Sequence, residues 1–306
     1  MLHLLLALAL QKPEPLDLVV TIPDLADLTR AIGGDAVRVE MLVPFGADPH
    51  AVLPKASLLL KLQRADGLVC MGLDYEHAFL PALLEKVRNP AIQTGQPGWC
   101  CVADKITPLE VPKTLDRGQG ADLHPRGNPH FNLDPENGRL MAASIRDLLI
   151  RLAPDRQAEF QARWQAWDTD AQQRIAAWTA RLAPLRGKPL VTYHRSWTYF
   201  AARFGLEIVG EVEPKPGLPP DAAHLIALKR TLIDKQVKVL MMEPWYSERN
   251  LGRLLEGTEV KLVKTGTCCG CLRPDETYLD FLGAVVESFA QAYGLPAPGP
   301  APEPAK

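Results

Sequence analysis

The sequence has 306 residues, of which 47% are hydrophobic and 23% are charged, and its formal net charge is -2. This composition is ordinary for a soluble globular protein, and the near-neutral charge argues against the strongly basic face that nucleic-acid binding requires. At roughly 150 residues per domain, the length predicts two lobes.

Residues 1–14 are interpreted as a secretory signal or as a truncated part of one. The apolar run at 4–10 is too short to span a bilayer, which takes about 20 residues, and Ala7 and Ala9 lie near a possible cleavage point. No Lys or Arg precedes the run, so the match to a signal is imperfect. No later stretch is apolar for long enough to form a membrane helix. We therefore expect an exported protein, either periplasmic or at the cell surface.

Strands and helices alternate twice along the chain, which predicts an α/β fold of two lobes. In the N-terminal lobe, residues 15–154, strands are predicted at 16–22, 37–43 and 68–71, and helices at 24–32, 57–64, 78–87 and 135–152. In the C-terminal lobe, residues 187–294, strands are predicted at 189–193, 206–212, 237–242 and 260–263, and helices at 197–204, 220–235, 247–255 and 278–293. Such alternation is typical of a mostly parallel sheet with helices on both faces.

A linking segment, residues 155–186, separates the two lobes. Its first part, 155–182, contains no Gly or Pro and predicts one helix about 42 Å long at 1.5 Å per residue. A helix of that length can run along both lobes and join them. The Pro-rich tail at 295–306 cannot bury a core and is expected to be extended and disordered.

Three histidines follow strands or precede helices at similar places in the two lobes. His50 ends an Asp-Pro-His sequence, His130 ends an Asn-Pro-His sequence, and His194 follows the strand at 189–193. Ligands of open α/β sheets bind at the carboxyl ends of the strands, and imidazole is a ligand that suits zinc. A lone histidine is more often a surface or core residue, so spacing alone leaves both interpretations open.

At this point the chain resembles the ZnuA/TroA-like group, the cluster A-I solute-binding proteins of zinc or manganese ABC transporters. The resemblance extends from about residue 16 to residue 294, and it depends on the order and spacing of several motifs. These are the segments 43–50 with Pro54, 128–135, 193–194, 210–220, 223–225, 243–244 and 277–278.

The resemblance implies two α/β lobes bridged by one long helix, with a metal ion in the cleft between them. It maps the ligands onto His50, His130 and His194. Because manganese-type members often carry Glu at the third position, His194 favours Zn²⁺ over Mn²⁺. The implied function is capture of the ion outside the cytoplasm and delivery to an ABC permease at the membrane surface. The implied protein is a monomer and not an enzyme.

The fourth ligand is left open, because the Asp that many members place near the last strands is absent from residues 262–271. Water, Glu243 or a thiolate from Cys268 or Cys269 could complete the site. The alternative for these cysteines is a disulfide, for which Cys100 and Cys101 are the considered partners, as expected for some of the six cysteines of an exported protein.

Other histidines lie near the predicted cleft. His124, in a stretch with Asp116 and Asp122, is either an auxiliary ligand or an exposed loop residue. His224 is expected to support the start of a helix, and Arg195 to form a salt bridge rather than to take part in the metal site.

Two other functions use the same three histidines. A zinc-dependent hydrolase would activate water at an open metal position, with Glu243 as the only obvious general base. The sequence has no His-Glu-x-x-His motif that would support this. A metal chaperone or an adhesin is the other alternative. The chain has no phosphate-binding Gly-x-x-x-x-Gly-Lys-Ser/Thr loop, so it is not the transporter ATPase.

Overall fold

The computed structural model describes residues 14–114 and 124–297. Most of the predicted signal, most of the tail, and Asp116 and Asp122 lie outside the described residues. Within the described ranges, no helix is both long enough and apolar enough to cross a membrane.

The N-terminal lobe is a parallel sheet of four strands in the order β2-β1-β3-β4. Buried aliphatic side chains fill the central strand β1, because both faces of the sheet are covered by helices. The elements of this lobe are β1 (Leu16–Val20), α1 (Pro23–Gly33), β2 (Val37–Met41), α2 (Ala56–Arg64), β3 (Gly67–Cys70), α3 (Leu80–Leu84), β4 (Trp99–Cys101) and α4 (Pro135–Leu152).

The C-terminal lobe repeats this topology, with a parallel sheet in the order β6-β5-β7-β8. Its elements are β5 (Pro189–Thr192), α6 (Thr198–Phe204), β6 (Glu207–Glu211), α7 (Ala222–Asp234), β7 (Val239–Met242), α8 (Leu251–Leu255), β8 (Lys261–Lys264) and α9 (Tyr278–Ala292). The predicted α/β fold with two mostly parallel sheets is confirmed.

The predicted linking helix is α5 (Gln157–Leu182), whose 26 residues extend about 39 Å. It starts two residues later than predicted, because Pro154–Arg156 forms a 3₁₀ turn. Asp168 accepts two hydrogen bonds from Arg139 of α4, at 2.6 and 3.0 Å. Arg181 donates two hydrogen bonds to Glu287 of α9, both at 3.0 Å. The helix is thus fastened to elements from both sides of the linker.

Of two hydrophobic clusters among the described residues, the smaller lies within the C-terminal lobe and the larger runs through both lobes. It joins residues of the first sheet to aromatic side chains of α6 and α9, among them Phe200 and Phe289. Tyr278, at the start of α9, donates its hydroxyl to the carbonyl of Asn132 at 2.6 Å, across the interlobe boundary. Gly138 of α4 admits this ring, since a Cβ there would lie 2.3 Å from the Tyr278 hydroxyl oxygen. The lobes are therefore held to one another by apolar packing as well as by the linker.

Candidate metal centre

The three predicted ligands His50, His130 and His194 converge in the cleft between the lobes. Their donor atoms all lie within 4.8 Å of one another, and among the described residues no other His, Cys, Asp or Glu group meets this condition. The Nε2 atoms of His50 and His130 are 3.3 Å apart. Donors held about 2.0–2.1 Å from one tetrahedral zinc ion are separated by about 3.3–3.4 Å. The spacing suits a shared ion, and without one it lets one ring donate an N–H to the other.

Two of the histidines are carried by the same type of turn. The Oδ1 atom of Asp48 accepts the backbone N–H of His50 at 2.9 Å, and the Oδ1 atom of Asn128 accepts that of His130 at the same distance. These are Asx turns, in which a short polar side chain bonds the backbone two residues later. The proline in the middle fixes its own φ. The X-Pro-His sequences therefore present both imidazoles from stiff backbone.

A carboxylate holds the third histidine from behind. His194 follows β5, and its Nδ1 lies 2.7 Å from Oε2 of Glu213, a residue just beyond β6. Because a carboxylate only accepts, this contact places the imidazole proton on Nδ1 and the lone pair on Nε2, the nitrogen that could serve as a metal donor. Both side chains are buried.

Burial keeps two of the three imidazoles neutral. The pKa of His50 and the pKa of His130 both lie well below the ordinary value of 6.5, first because burial disfavours the cation and then because the other histidines of the cluster repel it. Neutral imidazoles carry the lone pair that a metal needs. The metal-free site is therefore ready to bind an ion at neutral pH.

His124, the predicted auxiliary ligand, lies beside this cluster. Its ring centroid is 5.2 Å from that of His50 and 5.6 Å from that of His77. The side chain is only 9% exposed, and neither ring nitrogen has a hydrogen-bond partner among the described residues. Burial first, then His77 and His194, lower the pKa of His124 to about 4. Its nitrogens do not join the 4.8 Å group, so a ligand role needs a movement of the ring.

The three other candidates for the fourth ligand have different contacts. Glu243 is fully buried, and its Oε1 accepts hydrogen bonds from Ser196 and Trp197 at 2.8 and 3.2 Å. Burial raises the pKa of Glu243 to about 7. Cys269 donates its backbone N–H to Asp24 at 2.6 Å, and the Cys268 sulfur lies 3.1 Å from another sulfur, that of Cys271. None of the three belongs to the group of close donor atoms.

No disulfide is present in the structure, where all six cysteines are free thiols. The considered pairing of Cys268 or Cys269 with Cys100 or Cys101 does not occur. The Cys100 sulfur lies 3.6 Å from the carbonyl oxygen of Ser144, and the Cys101 sulfur lies near the carbonyl oxygen of Met71.

Two supporting residues escaped the sequence argument. Glu213 is one, although it lies in the family-specific segment 210–220. Tyr75 is the other. Its ring is fully buried, with centroids 5.2 and 5.5 Å from those of His50 and His130. Tyr75 follows a stretch in which Gly72, Leu73 and Asp74 all have positive φ, a backbone strain in the non-glycine residues that is common at functional sites but is visible only in the structure.

The two remaining expectations are confirmed. His224 donates its backbone N–H to the Asp221 side chain at the start of α7, and its Nε2 lies 2.9 Å from the Glu211 carbonyl. Arg195 forms a salt bridge with Glu211 at 3.4 Å.

A small cavity adjoins the cluster of three histidines. It measures about 50 Å³, and its walls include His124, His130, His194 and Arg195. That volume accommodates an ion and a few water molecules, whereas organic ligands occupy pockets of about 300–1,000 Å³.

The chain was compared with known families and proteins. The family described as zinc-uptake complex component A, periplasmic, matches residues 18–292. The high-affinity zinc uptake system protein ZnuA of Yersinia pestis is 24% identical over 311 residues, which cover 93% of this chain and 95% of that protein. The zinc-binding lipoprotein AdcA of Streptococcus pneumoniae is 26% identical over 269 residues. That alignment covers 87% of this chain but 51% of AdcA, so the chain spans about half of that relative's length.

Solved structures agree with the sequence comparison. A crystal structure of ZnuA superposes with a TM-score of 0.77 at 26% sequence identity, covering 91% of this chain and 99% of that chain. Both lobes and the linking helix are therefore shared with it. Since the family match extends over nearly the whole described fold, the chain belongs to the ZnuA family of periplasmic zinc-uptake components.

Proposed function

We propose that this protein captures one Zn²⁺ ion at His50, His130 and His194 outside the cytoplasm and delivers it to an ABC permease. The observation that carries the proposal is the meeting of three imidazoles, two buried and one partly buried, whose donor atoms lie within 4.8 Å of one another. The names of the Yersinia and Streptococcus relatives support zinc as the cargo. Three nitrogen donors also suit zinc better than manganese, which prefers oxygen ligands.

The fourth coordination position is best filled by water. The cavity beside the cluster has room for it, and none of Glu243, Cys268 and Cys269 belongs to the group of close donor atoms. His124, whose ring centroid is 5.2 Å from that of His50, could take that place through rotation of its ring.

A binding protein accounts for this site better than a hydrolase does. The only obvious general base, Glu243, accepts hydrogen bonds from Ser196 and Trp197. The adjoining cavity of about 50 Å³ is too small for an ester or peptide substrate.

Calorimetry on the metal-free chain tests capture. We expect one zinc ion per chain, weaker binding of Mn²⁺, and loss of zinc binding when His50, His130 and His194 are all replaced by Ala. His224→Ala is the matched control, because this histidine lies away from the cluster and should leave binding intact. Undiminished zinc binding by the triple variant would rule out the site.

Delivery is tested separately, with the cognate permease and ATPase in lipid vesicles. Zinc-loaded protein should drive zinc uptake that depends on ATP hydrolysis, and the triple variant should drive none. Zinc binding without any uptake would favour a chaperone or an adhesin instead.

A further inference from the structure

The loop after β8 holds two thiols in contact. Cys268 and Cys271 are spaced as Cys-x-x-Cys, and their sulfur atoms are 3.1 Å apart. A disulfide requires about 2.05 Å, so a movement of about 1 Å joins them. Neither sulfur belongs to the cluster of three histidines.

The intervening Cys269 does not compete for this bond. Its backbone N–H donates to the buried carboxylate of Asp24 at 2.6 Å, and its side chain is 1% exposed. Asp24 also accepts from the side chain of Asn132 at 2.6 Å, which in turn donates to the Thr267 carbonyl. This network anchors the loop to the N-terminal lobe on either side of Cys268.

The two contacting thiols are unequal. Cys268 is 1% exposed, whereas Cys271 is only partly buried. Hydrogen bonding from the Cys268 thiol, together with the backbone amides of Cys268 and Gly46, lowers the pKa of Cys271. The same contact and burial raise the pKa of Cys268 well above that of an ordinary thiol. An accessible, more acidic thiol beside a buried one is the arrangement of an attacking and a resolving cysteine.

Glycines on both sides make room for this pair. A Cβ at Gly266 would lie 2.2 Å from the Cys271 Cβ and 2.5 Å from its sulfur. Gly270 has a φ of +73°, and a Cβ there would lie 2.3 Å from the Phe45 ring. The loop therefore packs closely around Cys271 and against the segment that leads to His50.

We propose that Cys268 and Cys271 are a reversible dithiol–disulfide pair that reacts by exchange with an external disulfide. The Cys271 thiolate attacks one sulfur of that disulfide and expels the other as a thiolate, giving a mixed disulfide. Cys268 then loses its proton and attacks the Cys271 sulfur, which breaks the mixed bond. Two thiols become one disulfide, and the two electrons and two protons leave on two molecules of reduced thiol. The pair stands independently of the proposed metal capture, because it shares no donor with that site.

The test equilibrates the metal-free full chain with mixtures of reduced and oxidised glutathione. Wild type should fall from six free thiols to four as the oxidised form increases, and peptide mapping should locate a 268–271 link. Dithiothreitol under native conditions should restore six thiols. Cys100→Ser is the control, since this cysteine contacts Ser144 instead of another sulfur, and it should still lose two thiols.

Single variants separate the two roles. Cys268→Ser should accumulate a mixed disulfide with glutathione at Cys271, because the resolving thiol is missing. Cys271→Ser should leave the buried Cys268 unmodified. Circular dichroism of each variant is the control for correct folding. A link mapped to another pair, no link in fully oxidised glutathione, or a link that resists excess dithiothreitol under native conditions would overturn the proposal.

Discussion

Glu213 holds the Nδ1 atom of His194, and this contact fixes both the tautomer and the direction of the ring. The Nδ1–Oε2 distance of 2.7 Å joins two side chains that are both buried. Glu213 also accepts the backbone N–H of Gly217 at 3.2 Å, which orients the carboxylate in turn. Partners of this kind raise the basicity of a metal-binding imidazole.

Removal of this carboxylate should weaken zinc binding without abolishing it. We expect Glu213→Ala to lower zinc affinity by about 10–100-fold, the usual effect of losing an outer partner. Glu213→Gln should lower zinc affinity less, because the amide oxygen still accepts a hydrogen bond from Nδ1 of His194. Competition with a chromophoric chelator measures both. Glu211→Ala is the control, because Glu211 pairs with Arg195. An equal loss in the control would show that the effect is not specific to His194.

The depressed pKa values of His50 and His130 predict an unusual titration in the metal-free protein. An imidazole whose pKa is lowered in the folded state stays neutral as the pH falls through the ordinary value of 6.5. Protonating it at lower pH destabilises the folded state, so the free energy of unfolding decreases as the pH falls below that ordinary value. Ring chemical shifts in an NMR titration should remain constant for both residues down to about pH 6. Midpoints at about 6.5 would contradict the burial argument.

The sequence allowed the clustering of the three histidines to be predicted because each has a local context that the fold preserves. Two end X-Pro-His turns, and one follows a strand whose end lies in the cleft. Glu213 could not be assigned in the same way, because its pairing with His194 depends on how β6 lies beside β5. The contact between Cys268 and Cys271 depends likewise on the conformation of a loop, which spacing alone does not fix.

Most elements were also predictable, and the misses have physical reasons. The linking helix α5 was found because no Gly or Pro interrupts it. The strand β4 was missed because it has only three residues and no alternating pattern. The helix α8 is shorter than predicted because 3₁₀ geometry covers Glu248–Asn250.

The fit of α9 against α4 can be tested at Gly138. Alanine normally stabilises a helix interior by about 1 kcal/mol relative to glycine. At Gly138 the added Cβ would lie 2.3 Å from the Tyr278 hydroxyl. Overpacking costs about 1–3 kcal/mol, so Gly138→Ala should lower the free energy of unfolding, as measured in urea.

Gly252 in α8 is the matched control for this substitution. A Cβ there meets no atom within 4 Å. Gly252→Ala should therefore leave stability unchanged or raise it by up to about 1 kcal/mol. If both variants behave alike, the contact between Gly138 and Tyr278 does not determine the packing of the two helices.

At the scale of the whole molecule, the lobes share one core and several polar links. Arg203 of α6 donates two hydrogen bonds to Asp134, the residue that caps α4, at 2.6 and 2.8 Å. Asn128 donates to the Arg195 carbonyl at 2.8 Å. These links cross the same boundary as the apolar packing, so neither lobe should unfold alone.

We therefore expect one cooperative thermal transition. Calorimetric and van't Hoff enthalpies should agree, although chains of this size often unfold in stages. Zinc at about 1,000 times its dissociation constant should add about 4 kcal/mol and raise the Tm of the whole transition. Two resolved transitions, of which zinc moves only one, would show that the lobes unfold independently.

The shared core also affects how loaded and unloaded copies of the protein compete for the permease. A receptor whose halves are held together by packing and by polar links should present nearly the same outer surface with and without its cargo. Under the proposed function, unloaded copies should then occupy the permease almost as well as loaded ones. Uptake becomes sensitive to the ratio of filled to unfilled copies, and an excess of metal-free protein should slow zinc entry into vesicles.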